Sequence, residues 1–253
     1  MNILEKIEQY YDAYSGEKGT AGYSVENRPI RYFAVEKSSR PVIIVQYSIH
    51  AREYITSYLA LKQIEDFIVN GKRGKIYFLP AVNPDGISIC LSGRKNYKAN
   101  ANGVDLNVNF DAGWGTGSKN VLSRGEENCI GDYPFSEKES RALRDFTLRV
   151  MPDATASYHS KGEEIYWEFG QTGENYLRDE KIASRLAAVT GYSAKIIKGS
   201  AGGYKDWCIK RLKIPSFTVE VGDDDLMHPI GPEHADEIFF RNKEVLNVLT
   251  ESL

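Results

Sequence analysis

Imidazole and carboxylate side chains stand at three points of the chain where an apolar segment ends. His50 follows "VIIVQYSI" and lies three residues before Glu53. His159 follows "DATASY", and Glu220 ends "FTVE". A hydrolytic zinc centre needs three ligands of the histidine and carboxylate type, an open position for water, and a nearby carboxylate that takes that water's proton. The three segment ends together carry each of these parts.

Each of these residues also has an ordinary structural explanation. The His50-x-x-Glu53 pair could be an exposed helix cap, and the spacing by itself is weak evidence for a metal site. His159 follows a hydrophobic strand and could be a core histidine with its hydrogen bonds satisfied. Glu220 is harder to explain in this way, because it lies between two valines and a buried carboxylate needs a partner or a function.

The hydrophobic pattern predicts short strands alternating with helices. Apolar, β-rich runs occur at 29–36, 41–48, 74–82, 153–160, 164–170 and 216–222, and helical patterns at about 1–20, 53–70, 136–149, 176–190, 203–211 and 232–251. Runs that are apolar throughout need cover on both faces of the sheet. We therefore expect a single α/β domain over residues 1–253, with a mixed, mainly parallel sheet and helices on both faces. Functional residues of such sheets gather at the carboxyl ends of strands.

Residues 83–133 are rich in Asn, Gly, Asp and Ser and show little regular periodicity. A segment of that length without regular structure inside one domain is usually a functional loop region. Asp105, in this segment, is a candidate for the carboxylate that hydrogen-bonds the outer nitrogen of a ligating imidazole and fixes its tautomer.

Composition and charge narrow the classes of partner and compartment. The formal net charge is −3 and the basic residues are scattered, which favours neither nucleic acid nor an anionic membrane as a partner. Cys90, Cys129 and Cys208 are too few for a disulfide framework or a four-thiolate zinc site, and we expect small buried hydrophobes. The N-terminus "MNILEKIEQYYDAY" has neither the charge pattern nor the apolar stretch of a signal peptide or a spanning segment. These features predict a cytoplasmic protein.

Seven segments, taken in order, resemble a known family. "GYSVENRPI", "IHARE", "NPDG", "NGVDLNVNFDAGWG", "YHSKG", "GGYKDW" and "FTVEVG" resemble the zinc metallocarboxypeptidases of the carboxypeptidase A type, from about residue 22 to the C-terminus. Within that family, "HSKGEEIYW" and "YKANANGVDLN" look most like the bacterial branch that cleaves γ-D-glutamyl-diaminopimelate bonds in cell-wall peptides. The resemblance implies a metallopeptidase that acts on a small peptide or muropeptide.

The resemblance also implies roles for individual residues. It implies one zinc ion per chain held by His50, Glu53 and His159, with Asp105 behind His50. Glu220 is then the general base that takes a proton from water activated at the zinc and passes it to the leaving amine.

Further roles concern the substrate. Arg52 and Asn107 are implied to bind it. The family's arginine that polarises the scissile carbonyl falls near Arg94 or Lys95, with the register left open by a short gap. We expect Arg94, because a guanidinium can donate two hydrogen bonds to a developing oxyanion.

Two departures from the family pattern affect substrate recognition. In the family's "D-x-N-R-N" segment an arginine grips the substrate's terminal carboxylate, whereas this chain has Val108. The family's mobile tyrosine aligns with Lys198, although Tyr204 follows the paired glycines and is also predicted to bind substrate. The replacement cation is expected among Lys198, Lys205, Lys161 and Lys95. Lys205 stands where the family sets side-chain preference, and it would suit an acidic or zwitterionic group such as diaminopimelate.

Other functions remain open on the sequence alone. They are a general metallocarboxypeptidase, a deacylase of N-acyl amino acids and a peptidoglycan-fragment sensor that binds without turnover. His228 and His234 lie beside an acidic run at 223–225 and could suggest a second metal, although a solvated acidic loop before a helix explains them better.

Overall fold

An eight-stranded sheet organises the molecule, and the computed structural model describes all 253 residues. The strands are β1 (Lys18–Tyr23), β2 (Pro29–Glu36), β3 (Val42–Tyr47), β4 (Lys75–Leu79), β5 (Ala154–His159), β6 (Glu164–Tyr166), β7 (Ser193–Lys195) and β8 (Ser216–Glu220), in the spatial order β1-β2-β4-β3-β5-β8-β6-β7. Strands β4, β3, β5 and β8 are parallel, and β6 runs parallel to β7. The pairs β1 with β2, β2 with β4, and β6 with β8 are antiparallel. The mixed, mainly parallel sheet is confirmed.

Helices cover both faces of this sheet. They are α1 (Ile3–Ala13), α2 (Ile55–Asn70), α3 (Pro84–Leu91), α4 (Lys138–Val150), α5 (Gly173–Thr190), α6 (Tyr204–Trp207), α7 (Ala235–Asn242) and α8 (Val245–Glu251). Helices α1, α2, α5, α7 and α8 contribute to the core on one face, and α4 and α6 contribute to the core on the other. No helix is both long and apolar enough to cross a membrane.

The alternation of side chains along β3 explains the two cores. Ile43, Val45 and Tyr47 point to the α2 face, whereas Ile44 points to the α4 and α6 face. At the carboxyl end of the strand, the ring of Tyr47 stacks on that of Tyr158 in β5, with their centroids 5.1 Å apart. This buried contact stabilises the pairing of β3 with β5 at their carboxyl ends, close to His50 and His159.

Helix α3 corrects the prediction that residues 83–133 lack regular structure throughout. The Asn83 side chain accepts a hydrogen bond from the N–H of Gly86 at 3.0 Å, and Pro84 occupies the first turn. The helix is only eight residues long and sits in a segment rich in turn formers, so its periodicity does not stand out. The expected burial of the three cysteines is confirmed, and all three are free thiols.

Candidate metal centre

The candidate site lies at the carboxyl ends of the central parallel strands. Strand β3 lies between β4 and β5 in the sheet. Helix α2 lies in the connection from β3 to β4, and α4 lies in the connection from β4 to β5. These two helices pack on opposite faces of the sheet. A crevice forms at the carboxyl end of a sheet where the connections diverge in this way. His50 lies three residues beyond β3, His159 ends β5 and Glu220 ends β8.

The turn after β3 directs the first histidine and the glutamate into this crevice. Ser48 has a φ of 53°, and the strand ends at that point. Residues Ala51–Glu53 then form one turn of 3-10 helix, and the N–H of Ala51 donates to the carbonyl of Lys98 at 2.9 Å. This backbone bond ties the segment that carries two candidate ligands to the loop that carries Lys98.

His50, Glu53 and His159 converge through atoms that suit one metal ion. The Nδ1 atoms of the two imidazoles are 3.1 Å apart, and they lie 2.8 Å and 3.0 Å from the two oxygens of Glu53. A tetrahedral zinc ion with Zn–N distances near 2.05 Å would separate two ligating nitrogens by about 3.3 Å. All three side chains are buried, and the donor set matches the histidine and carboxylate ligands of hydrolytic zinc sites. The residues therefore fit zinc.

Asp105 and Lys98 lie behind the first ligand. His50 Nε2 is 3.1 Å from Asp105 Oδ1, and the Lys98 ammonium is 2.8 Å from Asp105 Oδ2. Burial opposes the charge of Asp105, yet Lys98 and His50 hold its pKa well below the usual range. Burial also opposes the charge of Lys98, and Asp105 raises the pKa of its ammonium. The sequence prediction did not include Lys98 among the residues of the site.

The two imidazoles differ in their protonation. Burial lowers the pKa of His50, but the charges of Glu53 and Asp105 and the hydrogen bond to Asp105 together outweigh it, so that the pKa rises to about 9. Burial lowers the pKa of His159 below its ordinary value. The metal-free site therefore holds a proton on His50 at neutral pH, and a metal ion must displace it.

Glu220 is the last residue of β8 and is paired in register with His159 on β5. The residue as a whole is partly exposed. Burial and the neighbouring charge of Glu53 raise the pKa of Glu220 well above its usual range. A carboxylate of raised pKa suits the acceptance and return of a proton at neutral pH.

Arg52 and Asn107 both lie at the edge of the site. The Arg52 guanidinium is half-buried and paired with Glu127. The Asn107 side-chain oxygen accepts from the N–H of Tyr204 at 3.1 Å, which leaves its amide nitrogen free. Gly202, with a φ of 87°, permits this approach because a Cβ there would lie 2.8 Å from the carbonyl oxygen of Val108.

The structure does not bring Arg94 to the candidate ligands. Its exposed guanidinium lies over the ring of Tyr97 at 4.4 Å, and Lys95 is exposed beside it. Both residues line a cavity of about 610 Å³ that is also lined by Lys98 and Asp105. The role of Arg94 at the scissile carbonyl stays a prediction, and Lys98 is the cation that contacts Asp105 behind the first ligand. Lys98 is the lysine of "YKANANGVDLN", and it lies seven residues before Asp105 in the sequence.

Three other residues predicted to contact substrate, Tyr204, Lys205 and Lys161, have partners within the protein. Tyr204 is fully buried, and its hydroxyl lies 2.8 Å from Thr147 Oγ1, so its side chain is a core residue and the prediction that it binds substrate is wrong. Lys205 is buried and pairs with Asp206 at 2.6 Å. Lys161 pairs with Asp224.

Lys198 differs from Lys205 and Lys161 because it is exposed and makes no hydrogen bond or ion pair with the protein. His228 and His234 join no cluster of three potential ligands.

The chain is similar to known proteins over most of its length. The model of a family described as Zinc carboxypeptidase, Peptidase M14, matches residues 2–240. "Gamma-D-glutamyl-L-diamino acid endopeptidase 1" of Lysinibacillus sphaericus is 29% identical over 91% of this chain. The chain spans 66% of that relative's length, just under two thirds.

Two solved structures share the fold. Bovine thrombin-activatable fibrinolysis inhibitor in complex with tick carboxypeptidase inhibitor has a TM-score of 0.85 at 23% identity, covering 98% of this chain and 93% of that chain. Murein-tripeptide amidase MpaA of Escherichia coli O157 has a TM-score of 0.70 at 23% identity, covering 92% of this chain and 93% of that chain.

Proposed function

Because this chain belongs to the zinc carboxypeptidase family, we propose that it is a zinc-dependent peptidase that hydrolyses an amide bond in a small cell-wall-derived peptide. The bond proposed is that between γ-D-glutamate and meso-diaminopimelate. The observation that carries the hydrolytic function is the convergence of His50, Glu53 and His159 beside Glu220, at the ends of three adjacent strands. A general base next to a metal site distinguishes a hydrolase from a protein that only binds peptides.

Each residue of the site has a part in the proposed reaction. The zinc ion would supply a Lewis acid that polarises the scissile carbonyl and acidifies water. Glu220 takes the proton of the attacking water and returns it to the nitrogen of the leaving amine. Asp105 fixes the tautomer of His50 by hydrogen-bonding Nε2, which would leave Nδ1 available to hold the zinc ion.

Lys98 supplies the positive charge that the family obtains from an arginine. Its ammonium is part of the same electrostatic cluster as the ligands, because its charge offsets part of the rise in the pKa of both His50 and Glu220. A fixed cation beside the metal stabilises negative charge that develops on the carbonyl oxygen of the substrate. Asp105 keeps Lys98 charged in its largely buried position.

The choice of substrate is supported by Val108 and by the named relative. Val108 has no group that could grip a terminal carboxylate in a bidentate fork, which argues against a general carboxypeptidase. The Lysinibacillus relative is named for γ-D-glutamyl-L-diamino acid bonds, and MpaA is named a murein-tripeptide amidase. A small peptide that contains the bond between γ-D-glutamate and meso-diaminopimelate is therefore the best-supported substrate for this chain.

Mass spectrometry of the reaction products tests this proposal. Zinc-loaded protein is incubated with L-Ala-γ-D-Glu-meso-diaminopimelate and, separately, with ordinary peptides that have free C-termini. Release of diaminopimelate from the first alone supports the proposal, and Glu220→Gln is the matched control that retains zinc but loses turnover. Cleavage of ordinary peptides alone would keep the zinc chemistry and overturn the substrate. Absence of turnover on both would favour the sensor or the deacylase.

A further inference from the structure

A cavity of about 670 Å³ lies outside the metal centre, and no residue of the metal centre lines it. It is bounded by the segment after β6 (168–172), the first half of α5, the loop 197–200 and the turn at 209–214. A cavity of this size can hold a ligand comparable to a small peptide or sugar derivative. The catalytic proposal gives it no role.

Three lysines without a partner in the protein line this cavity. Lys198, Lys210 and Lys213 line it, and none of their ammonium groups makes a hydrogen bond or an ion pair with the protein. By contrast, Lys205 and Lys161, named above, each have a carboxylate partner. Three free ammonium groups around one cavity, in a chain of formal net charge −3, create a local positive potential.

The acidic residues at the cavity do not cancel this charge. Asp179 is fully buried and is already engaged by Arg178 at 2.8 Å and by the side-chain amide of Gln171 at 3.0 Å. Glu168 is the other acidic residue of the lining, and its Oε1 accepts from the N–H of Gly170. The three lysines and Arg178 therefore exceed the two acids, and both acids have partners within the protein.

A continuous wall links the cavity to the metal centre. The carbonyl of Glu168, in the lining, accepts from the ammonium of Lys205 at 2.8 Å, and that ammonium lies 5.5 Å from the ring of Phe169. Lys205 belongs to α6, whose first N–H donates to Asn107. Asn107 in turn donates its N–H to Asp105 behind the metal ligands at 3.0 Å. Helix α6 would therefore separate a molecule held in the cavity from the metal centre.

We propose that this cavity binds the carboxylate or phosphate groups of a small anionic molecule through Lys198, Lys210 and Lys213. The anion comes from one of two sources, the carboxylate-bearing leaving part of the peptide substrate or a separate small anion. Binding of the anion is independent of the proposed peptidase function. Only its assignment to the substrate rests on that function.

Isothermal titration calorimetry of the zinc-loaded full chain with sulfate and with tricarballylate tests the proposal. The double variant Lys210→Ala/Lys213→Asn removes two of the cations, and asparagine tolerates the positive φ of 61° at position 213. Lys181→Ala, which removes an exposed lysine of α5 that does not line the cavity, is the matched control. Circular dichroism and zinc content verify that each variant is folded.

The proposal predicts that the double variant weakens tricarballylate binding at least tenfold and that the control leaves it unchanged. It also predicts that binding of both anions weakens as salt concentration rises. Equal affinity of wild type and double variant would overturn the proposal, because anions held at the zinc ion would bind both proteins alike. Absence of binding to the wild type would also overturn it.

Steady-state kinetics separates the two sources of the anion. A peptide with a free carboxylate on its leaving residue is compared with the corresponding amide, in wild type and in the double variant. A rise in KM for the carboxylate peptide alone assigns the cavity to the substrate. Equal KM values together with lost tricarballylate binding assign it to a separate anion. If no protein turns over either peptide, the peptidase proposal fails and calorimetry still decides the anion site.

Discussion

Replacing Asp105 by Asn tests how the groups behind the ligands support the metal centre. Asparagine keeps the shape of the side chain and one acceptor oxygen for His50 Nε2, which lies 3.1 Å away, but it removes the negative charge. Loss of a carboxylate behind a ligating histidine typically weakens metal binding 10- to 100-fold, which corresponds to about 1.4–2.7 kcal/mol. We expect the zinc Kd, measured by competition with a chelator, to rise within that range.

The same substitution leaves Lys98 without its partner. The pair is largely buried, with the Lys98 side chain 14% exposed and that of Asp105 1% exposed. Breaking a buried ion pair by removing one partner costs about 3 kcal/mol or more. Urea unfolding of the metal-free protein should show that loss. Asp153→Asn, which breaks an ion pair with Arg40 on the surface, should cost below about 1 kcal/mol. A change in zinc Kd below about threefold for Asp105→Asn would refute the reasoning.

Four further predictions follow from the same geometry. Glu220→Gln should keep stoichiometric zinc and lose about 10²- to 10⁴-fold in kcat, so near-normal turnover would mean another base. Lys98→Met should lower kcat about 10²- to 10³-fold at unchanged zinc content, and an unaltered kcat would remove Lys98 from the reaction. Val108→Arg should raise kcat/KM about tenfold or more on simple C-terminal peptides. The rise in Tm caused by zinc should grow between pH 6.5 and 9, measured at fixed zinc concentration, and a flat profile would contradict the role of His50.

The sign of the pH prediction follows from the pKa of His50. Its pKa in the folded metal-free protein is about 9, against an ordinary value of 6.5. The charged His50 therefore stabilises the metal-free fold fully below pH 6.5, and this stabilisation is lost as the pH rises through 9. Zinc meets less proton competition over the same interval, so both effects increase its apparent stabilisation at higher pH.

The strands that build the site were predictable because they are buried and apolar. The predicted run 29–36 coincides with β2 (Pro29–Glu36). The predicted runs 41–48 and 153–160 match β3 and β5 within a residue at each end. The edge strands β1 and β7 were missed. The sequence of β1, "KGTAGY", contains two glycines, and β7 has three exposed residues, so neither strand buries enough apolar surface to show a period of two.

Long-range packing explains the remaining differences. The predicted helix 232–251 is divided into a 3-10 turn (Pro232–His234), α7 and α8, because the chain bends at 243–244 and places α7 against α2 and α8 against α5. Lys98 was missed for a related reason. Its place beside Asp105 depends on the path of the loop and on the backbone bond from Ala51, neither of which spacing along the chain reveals.

Anomalous diffraction at the zinc edge, from crystals of the zinc-loaded protein, tests the central claim most directly. The structure predicts one peak per chain, about 2.1 Å from Nδ1 of both His50 and His159 and within bonding distance of the Glu53 carboxylate. A peak elsewhere, for example at the acidic loop 223–234, or a peak that persists at the site in His50→Ala at full occupancy, would contradict the assignment of the metal centre.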